Sequence, residues 1–325
     1  MNKEKLLVTG ASGFLGSELC KRATDEGYEV AGLIRQHPQP NLAVESLRGK
    51  VKLYEGDLCD PVRMKNIIRD YNPEYIVHLG ALTRVSYSFN HINETHLTNL
   101  GGTINLALAT EEYGSNLKRF IYASSMETYG NQPEYQKKMI PVDENVPQNA
   151  GSPYAVWKIA SEMFLKQQYY ANDFPVISLR QTNTYGRRYD DYFVVEAFVT
   201  AILKNKDVVN FGNPEPIRNF LYVDDLVNLY ITLLKDGSKK LNGHSFCTGP
   251  SNGITIKELA DMIARKLDWH GKINWYTREI RDGEIFYLNS TNKKVTLMTG
   301  WEPKITLSKG LDKTILYWKE KLCKN

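Results

Sequence analysis

The segment YAVWK sets Tyr154 and Lys158 four residues apart, and the stretch ASSMETYG, residues 123–130, precedes it by one element. On a helix, residues at that spacing share a face. An ammonium beside a phenol favours the phenolate and lowers the tyrosine pKa from its ordinary value of about 10. Such a tyrosine can exchange a proton with a substrate hydroxyl or carbonyl at neutral pH. An exposed helix pair of the same spacing would have no such role, so the pair gains meaning from its company. Ser125 offers a hydroxyl and Glu127 a carboxylate that can take a proton. Met126 stands between them with a thioether that can neither donate nor hold a proton. That side chain either shapes the catalytic chemistry or fills a gap.

A second group of residues could hold a dinucleotide. GASGFLG supplies Gly10, Gly13 and Gly16 directly after the apolar run KLLVT. A glycine turn lets the backbone approach a pyrophosphate, and the helix that follows presents unpaired N–H groups with a partial positive charge. A lone glycine motif is weak, but one between a strand and a helix is strong. The next strand ends GLIRQH, with Arg35 and no acid nearby. An acid there grips the ribose of NAD, whereas an arginine can pair with a 2′-phosphate, so NADP(H) is favoured over NAD(H). A solvated surface arginine is the alternative. Asp57 could accept from the adenine amino group, or simply close a turn. Phe14, Leu15, Leu58, Leu79 and Ala81 complete the expected cofactor contacts.

These residues need elements to hold them. Short apolar runs at residues 5–10, 28–35, 51–57, 74–81, 119–125 and 175–180 read as strands. Between them, Leu15, Leu19 and Ala23, then Leu97, Leu100, Ile104 and Leu108, then residues 152–170, recur at helical spacing. Pro61 opens another helix, where its missing N–H costs little. This β-α-β series predicts an α/β fold: a doubly wound parallel Rossmann sheet with right-handed crossovers. After residue 180 the pattern loosens into shorter elements separated by NFGNPEP and TGPSNG. A dinucleotide-binding domain over 1–180 and a smaller, mixed α/β substrate-binding region over 181–325 are expected, with some segments of the second returning to pack on the first. That region should cover the carboxyl edge of the sheet, where such folds bind ligands.

Composition removes other classes. The chain has 325 residues, 42% of them hydrophobic, which is ample for a packed core. A net charge of +4 without a basic cluster offers nothing to nucleic acid. No apolar run suits a signal peptide or a bilayer span, so no membrane partner is expected. Cys20, Cys59, Cys247 and Cys323 lack metal or disulfide spacing, and a cytoplasmic protein with free thiols follows. His78 reads as a packed residue of a buried strand. His91 and His96 have no third ligand, so no metal is expected. The Asp224–Asp225 pair suits a helix N-terminus.

Taken together, TGASGFLG, SSMETYG and the Tyr154–Lys158 pair resemble the extended short-chain dehydrogenase/reductases. HLGA (78–81), NLGGTINL (99–106), RQTNTYG (180–186), RNFLYVDD (218–225) and RDGEIFYLNSTNKKVTLMTGWEP (281–303) resemble the nucleotide-sugar epimerase/dehydratase branch. The resemblance spans nearly the whole chain. It implies a tightly held NAD or NADP and a nucleoside-diphosphate sugar substrate. It makes Tyr154 the acid/base, Lys158 the holder of the nicotinamide ribose, and Ser125 the hydroxyl that bonds the sugar oxygen. Asn183, Arg218 and Arg281 match groups that contact the diphosphate. Phe211 falls where the base is often packed, and could equally be core. By the same analogy the protein is a homodimer, paired through the Tyr154 helix and the helix from about 90 to 113.

Three reactions compete within that branch, all starting from hydride transfer at sugar C4. A 4-epimerase oxidises C4 and returns hydride to the other face. A 4,6-dehydratase adds a glutamate that removes the C5 proton and a neighbouring acid or hydroxyl that helps expel the C6 oxygen. A 4-ketoreductase uses NADPH once. Glu127 matches the dehydratase base, but Met126 occupies the place of its partner. With Arg35, this favours reduction of a nucleotide-linked 4-keto-6-deoxy sugar, with epimerisation next and dehydration third. A non-catalytic NADP(H) sensor is a reading from another class, and it has no need of Ser125, Tyr154 and Lys158.

Overall fold

In the computed structural model, which describes residues 3–36, 41–277, 279 and 283–323, six strands follow the sequence in order. They are β1 (Lys5–Thr9), β2 (Glu29–Ile34), β3 (Lys52–Glu55), β4 (Tyr75–His78), β5 (Arg119–Ser125) and β6 (Val176–Gln181). All pair in parallel, and Ser245–Cys247 adds a seventh strand beside β6. From edge to edge the order is this last strand, then β6, β5, β4, β1, β2 and β3. The winding reverses between β1 and β4, and in open α/β sheets ligands bind outside the carboxyl ends at that point.

The strands are apolar on both faces because helices cover both. Leu6 and Val8 of β1 enter one core cluster and Leu7 enters the other. Each fully buried leucine contributes roughly 2 kcal/mol by leaving water. The helix Pro153–Asn172 starts cleanly: Ser152 Oγ accepts the Ala155 N–H, and Pro153 occupies the first turn. It buries Tyr154, Ala155, Lys158, Ser161, Glu162 and Leu165, which is one face at helical period.

The expected helix near residues 97–108 is interrupted. Ile92–Thr95 leads into a π-helical turn, His96–Gly101, before the α-helix Gly102–Tyr113. A Cβ on Gly102 would lie 2.6 Å from Leu58 Cβ, so the glycine lets this helix close onto the loop after β3.

Beyond β6 the chain forms small sheets. Asn183–Tyr185 pairs with Phe220–Tyr222, and Ile217–Arg218 lies between Ile254–Thr255 and Tyr287–Leu288. All four cysteines are free, Cys20 and Cys247 buried and Cys59 and Cys323 exposed. Among the described residues, no helix is long and apolar enough to cross a membrane.

Candidate active site

A cavity of about 400 Å³ lies over the carboxyl ends of β1, β4 and β5. It brings together Gly10, Gly13, Phe14, Leu15, Gly16, Arg35, Asp57, Leu58, Leu79, Ala81, Ser125, Met126, Glu127, Tyr154, Lys158 and Asn183. These come from seven separate places in the sequence.

The glycine turn is built by close backbone approach. Gly10 has φ +71, and a Cβ on it would meet Gly80 N at 2.9 Å. A Cβ on Gly16 would lie 2.2 Å from Gly10 O. Gly13 is the N-cap of the helix Phe14–Asp25, and no side chain caps that end. Its first N–H groups therefore face the cavity without a built-in acceptor, which fits a pyrophosphate. Arg35 is exposed at the end of β2 on the cavity rim. Asp57 Oδ1 accepts the Cys59 N–H and so closes the turn after β3 while lining the cavity.

A buried polar chain sets the loop after β4. Thr9 Oγ1 lies 2.7 Å from His78 Nδ1 and accepts the Gly80 N–H. Thr103 Oγ1 lies 3.0 Å from His78 Nε2 and donates to Asn99 O. With Thr103 donating onward, His78 must donate through Nε2 and accept at Nδ1 from Thr9. Burial drives the His78 pKa down to about 3, so the ring stays neutral. Asn99 holds the loop itself through Leu82 N and O. His91 stacks on Tyr87, and His96 packs against Trp157.

At the other end, Lys158 Nζ donates to Ala123 O at 2.6 Å and is almost fully buried. Burial pushes its pKa down to about 7. Tyr154 is also buried, and its surroundings raise its pKa rather than lower it. Burial is the main cause and the Glu127 charge adds to it, while a hydrogen bond with Ser125 opposes both. The sequence expectation of a lysine-lowered phenol is thus reversed here: Lys158 is directed to a backbone carbonyl, 5.9 Å from the Tyr154 ring centroid. Ser125 Oγ also accepts the Glu127 N–H, capping the single turn Met126–Tyr129. Met126 is buried beside the cavity, in a small apolar cluster with Tyr129, Val142, Val146 and Leu288. Gly130 follows at φ +57, where a Cβ would lie 1.7 Å from Asn149 O.

The remaining residues expected to bind substrate are placed less uniformly. Asn183 lines the cavity and donates to Asn219 O. Arg218 is buried, paired in register with the lining residue Leu288, and its guanidinium pairs with Glu284 at 3.1 Å. Phe211 is core: its ring centroid lies 4.0 Å from that of Phe198. Arg281 lies outside the described residues. Asp224 pairs with Arg187, and Asp225 accepts the Ile305 N–H.

Two charged lining residues escaped the sequence reading. Glu196 is fully buried in the helix Val194–Lys204, accepts the Gly186 N–H, and sits 3.6 Å from Arg188. Burial raises its pKa to about 7 against the charge of Arg188. Arg188 also lies over the rings of Phe14 and Phe193. The available signal was an acid inside the apolar run VVEAFVTAIL, since a charge there demands a partner.

A parallel sheet reversing at a glycine turn, with a tyrosine, lysine and serine at its carboxyl edge, defines a dinucleotide-dependent enzyme of the Rossmann class. Residues 6–249 match the model of the NAD dependent epimerase/dehydratase family, and the chain belongs to that family. It is 28% identical over 323 residues to a UDP-glucose 4-epimerase of Mycolicibacterium smegmatis, covering 98% of this chain and 99% of that one. It is equally 28% identical over 328 residues to the human dTDP-D-glucose 4,6-dehydratase, covering 98% and 90%. Among solved structures, the UDP-glucose 4-epimerase of Thermotoga maritima with UDP-glucose superposes at a TM-score of 0.87, with 28% identity and coverage of 98% and 99%. The Thermus thermophilus UDP-glucose 4-epimerase in complex with NAD gives 0.87 at 25% identity, covering 97% and 99%. The protein is therefore an enzyme of the nucleotide-sugar epimerase/dehydratase family, whose members are NAD-dependent.

Proposed function

We propose that the protein reduces a nucleoside-diphosphate 4-keto-6-deoxy sugar at C4, with NADPH as the preferred reductant. The observation that carries this reading is Arg35 on the cavity rim at the end of β2, with no carboxylate at that strand end among the described residues. A guanidinium there suits a 2′-phosphate. A bound nicotinamide would supply the hydride. Tyr154 would deliver the proton to the C4 oxygen, and Ser125 would hold that oxygen in line. Lys158 would orient the ribose from its anchor on Ala123 O. Asn183 would meet the diphosphate, and the resemblance gives Arg218 and Arg281 the same role. The division into a 1–180 dinucleotide domain and a 181–325 substrate region, a homodimer, and a cytoplasmic setting belong to the same reading. Dehydration is disfavoured because the position before Glu127 carries Met126, a buried thioether that cannot donate a proton.

A second reading, 4-epimerisation, draws support from the relatives, which include 4-epimerases matched along nearly the whole chain. One experiment separates the readings: a panel of UDP-, GDP-, CDP- and dTDP-sugars with NADH and NADPH. Reduction consumes NADPH one for one with a 4-keto-6-deoxy sugar. Interconversion of 4-epimers with no net cofactor use would establish the epimerase, and a 4-keto-6-deoxy product from an unmodified hexose the dehydratase.

A further inference from the structure

The serine-capped turn and the Tyr154 helix meet at a buried ion pair outside the reacting groups. Tyr154, Lys158 and Glu162 lie at successive i, i+4 positions on one face of the helix Pro153–Asn172. Lys158 is tied to β5 through Ala123 O, and Glu162 is tied to the next two strands. Glu162 accepts from Ser124 Oγ at 2.8 Å, Ser245 Oγ at 2.6 Å, and Arg180 Nη2 at 2.6 Å and Nε at 3.0 Å. Burial pushes the Glu162 carboxyl up, but Arg180 and the two serines outweigh it and hold it ionised.

Arg180 has a second arm. Its Nη1 donates to the Tyr129 hydroxyl at 2.6 Å. The same phenol oxygen lies 3.2 Å from Cys247 Sγ. Tyr129 is the last residue of the turn that Ser125 caps. One guanidinium therefore grips the far end of the Ser125–Glu127 turn and the helix that carries Tyr154.

We propose that Arg180, Glu162 and Tyr129 are positioning residues: the guanidinium bridge between Tyr129 and Glu162 fixes the Ser125 hydroxyl against the Tyr154 phenol. A fork with two donor edges can hold two acceptors at a set separation, which a lysine cannot. Displacement of a reacting group by about 1 Å can cost on the order of a hundredfold in rate.

Tyr129→Phe tests this, since it keeps the ring and removes only the hydroxyl. Hydrogen exchange gives a readout that needs no substrate. The amides of Glu127, bonded to Ser125 Oγ, and Gly130, bonded to Glu127 O, should exchange about tenfold faster, while those of β5 hold. Unchanged exchange at both amides overturns the proposal whatever the protein turns over. Cys247→Ala, which spares the Arg180 bond, should leave both amides as in wild type. Faster exchange there would assign the effect to the thiol and also overturn the proposal. The kinetic arm rests on the C4 oxidoreductase reading. With a working sugar, Tyr129→Phe should lower kcat about tenfold with KM within twofold, and have no further effect in a Ser125→Ala background. Equal losses in both backgrounds would point to general destabilisation and reject the positioning role. Absence of turnover with every sugar in wild type would reject the C4 reading alone, leaving the exchange result to decide this one.

Discussion

The two ends of the cavity are made of different material. At the dinucleotide end the backbone does most of the work: three glycines, an uncapped helix start and a turn closed by Asp57. At the end lined by Ser125, Tyr154 and Lys158, side chains form the wall, held by other side chains or by a strand carbonyl. A backbone site tolerates few residues but needs few partners. A side-chain site admits many residues, and its geometry depends on what stands behind it.

Substitutions can break that contrast. The largest effect is expected at Tyr154: its replacement by Phe should cut kcat by about 10²–10⁴, with binding of the dinucleotide retained in a fluorescence titration. Retained turnover would remove the proton-transfer role. Next is Glu196→Gln. The native carboxyl, raised to about 7 from 4.5, keeps a proton that the unfolded chain releases, so stability falls as pH rises through that window. The dependence amounts to roughly 3 kcal/mol at most, and urea melts across that range should show it flattened in the variant. At the backbone end, Gly16→Ala forces a Cβ against Gly10 O and should cost about 1–3 kcal/mol, seen as a lower denaturation midpoint with the slope unchanged. Smallest is Arg35→Asp, expected to shift the NADP/NAD affinity ratio about tenfold or more toward NAD. An unchanged ratio would show that the strand end does not select the cofactor.

The same contrast explains what could be read from the sequence. Strands such as Arg119–Ser125 and the helix from Pro153 were legible because apolar periodicity, a cap and a proline mark them locally. The glycine turn was legible for the same reason. Lys158 was legible as a residue but not as a charge state, because its burial and its Ala123 acceptor arise from strands packed in three dimensions. Phe211 and Arg218 show the limit more sharply. Their neighbours could place them near a ligand, but contacts with Phe198 and Glu284 decide where they lie. Glu196 and Glu162 were hidden because their partners lie off their own helices, Arg188 in the loop before one and Arg180 on the strand after the other.

The seventh strand, Ser245–Cys247, has a consequence for how the molecule comes into being. It completes the main sheet from a point far along the chain, and Arg119 at the start of β5 donates to the carbonyls of Leu233, Asp236 and Ser238. During synthesis the nascent chain emerges with β6 as an open border and Arg119 lacking its acceptors. The sheet cannot close until residue 247 has left the ribosome. Expression of the first 180 residues alone should therefore yield an insoluble fragment, whereas a fragment extended through residue 247 should stay in solution.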